Sequence, residues 1–178
     1  MAYSVLLLNS VVADNIDAYN RSVLAPAALE NGNVIYPSAL ETTDGQTEVW
    51  TLTQPATANL TKLWMVWTPE MVLTASKYRN IDPDVQNFVI ASGAIADAYK
   101  PMVGDLITLT ADAMSNAIAS NTFINATDGA YDFTWGASAS GSTLSYKLVE
   151  TTYISIGNGA LGNTGRVTAY MFECVATA

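Results

Sequence analysis

There is no histidine in the 178-residue chain, and only one cysteine, Cys174. A Ser-His-Asp or Cys-His nucleophile is therefore excluded, as is a zinc site built on imidazole. One thiol can form neither a thiolate metal site nor an internal disulfide. Charge is scarce too: 13% of residues are charged, where soluble proteins average ~25%. Within that small set, 7 basic residues face 16 acidic ones, for a net charge of −9. Such a surface repels phosphate backbones, and no basic run in the sequence overrides the sign, so neither nucleic acid nor an anionic membrane is an expected partner. Long apolar runs are also missing, since none approaches the ~20 residues of a membrane helix. The apolar piece Val5 to Leu8 is short, has no basic residue before it and is interrupted by Asn9 and Ser10, unlike a secretory signal. This predicts synthesis in a cytoplasm, with exit only by lysis.

Half of the residues are hydrophobic, and the length suits one domain able to bury a core without disulfide or metal. Solubility rests on Thr, Ser and Asn, which suit sheet surfaces and surfaces covered by neighbours, where charge is depleted. Segments rich in Val, Ile, Thr and aromatics recur between turn signals. Val34–Tyr36 reads as a short strand ended by Pro37. Glu48–Thr53 alternates, with Val49, Thr51 and Thr53 on one face and Trp50 and Leu52 on the other. Leu63–Trp67 is apolar on both faces, as in a central strand, and Met71–Thr74 reads as another. Leu106–Thr110, Thr122–Asn125 and Tyr131–Trp135 follow, then a long strand or strand pair over Leu144–Ile156, a glycine-rich tip and a last strand over Arg166–Ala176. Asp14–Leu24 has partial helical or turn character, Val85–Tyr99 is irregular with one helical turn, and Asp112–Ala119 is a short helix or turn. Short strands at this spacing predict a mainly β fold, an antiparallel β-barrel or sandwich with short helical segments. Residues 1–30 are an extended N-terminal arm or a first strand and turn region, and 31–178 a β-rich domain.

The remaining chemistry is carboxylate chemistry. Asp82 and Asp84 flank Pro83, and Asp128 and Asp132 flank a turn. Their favoured role is to hydrogen-bond local backbone, in preference to a calcium loop or a pair facing across a hydrolase cleft. Gly157–Gly162 lacks the Lys-Ser/Thr ending of a phosphate loop. Trp50, Trp64 and Trp67 have three readings: core packing, a subunit interface, or a platform for sugar stacking. No catalytic residue, cofactor or metal is assigned. Cys174, in the apolar run Tyr170–Val175, is expected to be buried and inert.

Several segments carry a resemblance: Tyr19-Asn-Arg-Ser-Val-Leu-Ala25, Glu30-Asn-Gly-Asn-Val34, Leu63-Trp-Met-Val-Trp67, Thr68-Pro-Glu70, Ile81-Asp-Pro-Asp84, Tyr99-Lys-Pro-Met-Val-Gly-Asp105 and Ile107-Thr-Leu-Thr-Ala-Asp112. Together the chain resembles a family of tailed-phage head proteins that are encoded beside the major capsid protein and decorate the shell. The resemblance implies a non-enzymatic virion protein on the outer capsid surface, made in the host bacterial cytoplasm. It also implies a homo-oligomer, with a trimer favoured, that binds the major capsid protein and stabilises the shell. Another virion component, such as a head fibre base or tail protein, and a carbohydrate-binding adhesion module are the alternatives. The interface residues expected from the sequence are Leu6, Leu7, Leu8, Val11, Val12, Tyr19 and Arg21, the last as a cation able to pair with a capsid carboxylate.

Overall fold

Wherever β-branched and aromatic residues alternate between Pro, Gly and Asn turns, the chain extends. The computed structural model describes residues 3–42, 48–70, 84–116, 118, 120–141, 143–157 and 164–177. Eleven strands occur among them: β1 (Leu6–Ser10), β2 (Asn20–Leu24), β3 (Val34–Leu40), β4 (Val49–Thr53), β5 (Trp64–Val66), β6 (Ile95–Tyr99), β7 (Leu106–Thr110), β8 (Phe123–Asn125), β9 (Thr134–Gly136), β10 (Ser145–Gly157) and β11 (Thr164–Ala176). Their helical content is limited to four short 3-10 turns. The mainly β reading therefore holds, and the structure combines its two options. Strands β2-β4-β3-β5-β6 close a barrel, and β1-β7-β11-β10-β8-β9 form a six-stranded sheet. Most neighbours run antiparallel, but β2 and β4 pair in parallel, with Val23 opposite Trp50.

The two units share strands β3, β5 and β6 through the alternation of side chains along each strand. Ile35, Trp64, Val66, Ala96 and Ala98 face the barrel interior, while Val34, Met65 and Tyr99 face the sheet. There they meet Ile107, Leu109, Phe133, Tyr146 and Phe172, all buried. Phe133 and Tyr146 pack edge to face with ring centroids 5.6 Å apart. The Tyr99 hydroxyl donates to Met65 Sδ at 3.2 Å. Its neighbour, the Tyr146 hydroxyl, is left without a well-aligned partner. Cys174 is buried in this same core.

The turn Glu30–Asn33 joins barrel to sheet. Asn31 donates to the Thr68 carbonyl oxygen at 2.8 Å and accepts from the Thr68 amide at 2.9 Å, and Asn33 donates to Asp132 at 2.9 Å. Ser4, just before β1, donates through its amide to Glu30 and through its hydroxyl to the Asn31 carbonyl oxygen. Gly32 sits between the asparagines at φ +92°, and a Cβ there would lie 2.6 Å from Leu109 Cδ2. Glycine is thus required for both conformation and space. Burial pushes the Glu70 and Asp132 carboxyls up, and the Asn31 and Asn33 amides oppose that shift.

Three local readings change. Pro37 does not end β3, which continues to Leu40. The proline sits beside a bulge between Pro37 and Ala39, beyond the part of β3 that pairs with β5, where a missing N–H is tolerated. The region read as irregular contains β6, whose alternation is carried by small alanines, Ala96 and Ala98. The segment Asp14–Leu24 divides into two 3-10 turns and then β2. The strand read at Met71–Thr74, Asp82 and most of the glycine-rich tip lie outside the described residues.

Candidate functional site at the barrel mouth

On β2, Val23 faces the barrel core, so Arg21, two residues earlier, points the same way. Trp50 precedes Leu52 on β4, and Trp64 precedes Val66 on β5, by the same two residues. Because β2, β4 and β5 run in one direction, all three side chains reach the same end of the barrel. The Arg21 guanidinium lies against both rings, 4.0 Å from the Trp50 centroid and 4.5 Å from that of Trp64. Each such contact contributes about 0.5–2 kcal/mol, more as water is excluded. Burial depresses the Arg21 pKa, though the group stays charged at any physiological pH. The guanidinium has no hydrogen-bond or ion-pair partner among the described residues.

Two hollows open on either side of this stack. The larger, about 840 Å³, runs past Asp14, Asp17, Glu48, Trp67 and Asp97. It is acidic, and Trp67, 37% exposed, presents part of its ring there. The smaller, about 300 Å³, is lined by Tyr36, Ser38, Thr61, Lys62 and Lys100, together with Arg21 and its two indoles. Lys62 precedes β5 and Lys100 follows β6, so the topology gathers cations that the sequence scatters. Lys100 Nζ lies 5.9 Å from the Tyr19 ring centroid.

The residues expected at an interface separate by strand alternation. Leu6 and Val11 are buried, and Leu8 packs partly against the inter-layer core. Leu7 and Val12 are exposed, at 44% and 38%. β1 lies at the edge of the six-stranded sheet, paired with β7 alone among the described residues. Val12 is fixed by its amide, which donates to Asp105 Oδ1 at 2.9 Å, while Oδ2 accepts from Met102 N at 2.8 Å. Asp105 therefore ties the start of the first 3-10 turn to the turn before β7. Arg21 reaches the barrel mouth, whereas Tyr19 is half-buried against the inter-layer core.

The tryptophans part in the same way: Trp64 is core, Trp50 half-buried and Trp67 exposed. Asp84 accepts from the Gln86 amide at 3.0 Å, the local backbone role expected of it. Asp128 accepts from Thr57 at 2.9 Å, and Asp132 from Asn33. Among the described residues, no three acidic, Cys or His side chains gather as metal ligands. Sequence reasoning missed Lys62, Lys100 and Tyr36. Lys100 follows an alternating segment and was in principle findable, whereas Lys62 sits in a turn with no local signal.

The outer half of the β10–β11 hairpin is the other distinctive surface. β10 pairs with β8 only over Ser145–Lys147, and β11 with β7 only over Ala169–Glu173. Beyond those limits the strands pair with each other alone among the described residues, from Tyr153–Thr168 to Gly157–Thr164. Val149, at the bulge opposite Met171, and Tyr153, further out, are exposed, at 52% and 55%, whereas Ile156 near the tip is buried. Arg166 lies 4.7 Å from the Tyr153 ring centroid. Compared with known proteins, the chain matches no family model, no curated protein and no solved structure.

Proposed function

We propose that the protein is a non-enzymatic structural subunit of a phage virion, one that binds the outer face of the capsid through the major capsid protein and stabilises the shell. The observation that carries this reading is the β10–β11 ribbon. An isolated two-stranded ribbon is marginal in water, yet this one extends past the sheet, with Tyr153 exposed on it and Val149 exposed at the bulge near its base. A ribbon of that form suits a neighbouring subunit that covers it. The low charge and the segments that resemble head decoration proteins agree with such a role, as does an acidic surface kept away from packaged DNA. Stabilisation then follows from mass action: a protein that binds only the mature lattice stabilises it by its binding free energy, summed over many sites. Self-association as a homo-oligomer, with a trimer favoured, belongs to the same proposal.

The test is binding of the purified protein to matched shells that lack it, before and after expansion, followed by imaging. Saturable binding to expanded shells at fixed lattice positions is expected, and its loss in Val149→Ser/Tyr153→Ser. No binding to either form overturns the proposal. A carbohydrate-binding adhesion module is the second reading, favoured by the exposed ring of Trp67 in the acidic hollow. It predicts glycan binding that Trp67→Ala abolishes.

A further inference from the structure

Of the five cations among the described residues, Arg21, Lys62 and Lys100 line the small hollow at the barrel mouth, and no carboxylate among the described residues lines it. In a chain with 16 acidic residues and 7 basic ones, that local excess is the reverse of the whole. Arg21 is held by two indoles, so its planar fork is positioned while its N–H donors have no hydrogen-bond partner among the described residues. A guanidinium fixed in this way matches a carboxylate with two parallel hydrogen bonds and loses little entropy on binding. Lys62 and Lys100 line the same hollow, as do Tyr36, Thr61 and Ser38, the last with its hydroxyl bonded to Thr51. The hollow, about 300 Å³, is at the small end of ligand sites.

We propose that the barrel mouth is a binding site for a carboxylate on a hydroxylated skeleton of monosaccharide size, such as a sugar acid. The carboxylate pairs with Arg21, Lys62 and Lys100 hold its charge, and the hydroxyls on the lining meet those of the ligand. The inner faces of Trp50 and Trp64 are occupied by Arg21, so recognition rests on charge and hydrogen bonding rather than on stacking of a neutral sugar. The site stands apart from the shell-binding proposal, which uses the ribbon, and is tested on the free protein.

Trp50 and Trp64 touch the guanidinium, so tryptophan fluorescence reports occupancy directly. The protein is titrated with glucuronate, glucose and inorganic phosphate. The expected result is a saturable change with glucuronate, little response to glucose, and weaker binding of phosphate. Arg21→Lys keeps the charge but loses the fork, and should weaken glucuronate about tenfold or more. Lys62→Gln/Lys100→Gln should weaken it further and flatten its salt dependence. The proposal is overturned if glucuronate gives no saturable change, if glucose responds equally, if phosphate binds more tightly, or if Arg21→Lys leaves the affinity unchanged. Should Arg21→Lys fail to fold, the exposed double-lysine variant decides: unchanged affinity overturns the site.

Discussion

The two ends of the barrel are closed by opposite means. At one end Leu29 and Ile90 form a bridge between segments outside the strands, and both are buried, with Phe88 packed beside them. At the other, a cation lies against two indoles. The first closure loses free energy with every methylene removed. The second uses the Arg21 stem and ring contacts to cover apolar surface while its hydrogen-bonding capacity is unspent among the described residues. Closing a barrel with a charge is poor economy for stability alone, and the contrast singles out the arginine end as the one adapted for recognition.

The sharpest way to break the comparison is Leu29→Ala, because Leu29 is completely buried. A loss of about 2–5 kcal/mol is expected at the sealed end, read as a lower urea midpoint with unchanged slope. Arg21→Ala at the open end should cost less, about 1–3 kcal/mol, from two cation–π contacts and the stem. Arg21→Met keeps most of the stem and should recover part of that loss while abolishing carboxylate binding. If Arg21→Met lost as much stability as Arg21→Ala, the charge itself would be structural and the contrast between the ends would fall.

A third test separates the barrel from the inter-layer core, where the buried weak acids gather. Burial pushes the Cys174 thiol up to about 12; the Asp105 charge adds to this, a hydrogen bond with the Ala176 backbone opposes it, and Glu173 adds a little more. Burial raises the Tyr99 and Tyr146 hydroxyls in the same sense. An acid whose folded pKa is raised contributes its full stability below the unfolded pKa and loses it as pH climbs toward the folded value. For Cys174 that window runs from about 9 to about 12. Urea midpoints should therefore fall as pH rises through this range, and Cys174→Val should make the fall shallower. The native thiol should also resist alkylation at about pH 8, where a free cysteine reacts.

How much of this was legible in the sequence depended on how far apart the partners lie. Leu106–Thr110 and the last strand carry their own β signal and could be read locally. The strand β6 could not, because Ala96 and Ala98 are small in order to fit the barrel interior, and small residues weaken the pattern that betrays a strand. Pro37 misled because its cost depends on whether a neighbour needs its N–H, which is a tertiary fact. The site was less legible still. Arg21 stood out as a scarce cation, and Trp50 and Trp64 as an aromatic group. That they touch follows only from barrel closure, through the pairing of Arg21 with Ala98 and of Val66 with the same residue.

The smallest effect on stability is expected at the rim of the open end. Lys62 and Lys100 are exposed and have no ion pair among the described residues. Their ammonium groups interact with water and, for Lys100, weakly with Tyr19 across 5.9 Å. Lys62→Gln/Lys100→Gln should therefore leave the urea midpoint within about 0.5 kcal/mol of the parent. The direction of any residual change is informative. Removing two positive charges raises the magnitude of a net charge already at −9, which slightly disfavours the compact state through self-repulsion. It also relieves the local repulsion among Arg21, Lys62 and Lys100. A small gain in stability at low salt that vanishes at high salt would mean that the local term wins. The three cations would then be held together at a net cost, which is the expected signature of a site assembled for an anion and a contrast with the apolar seal at Leu29.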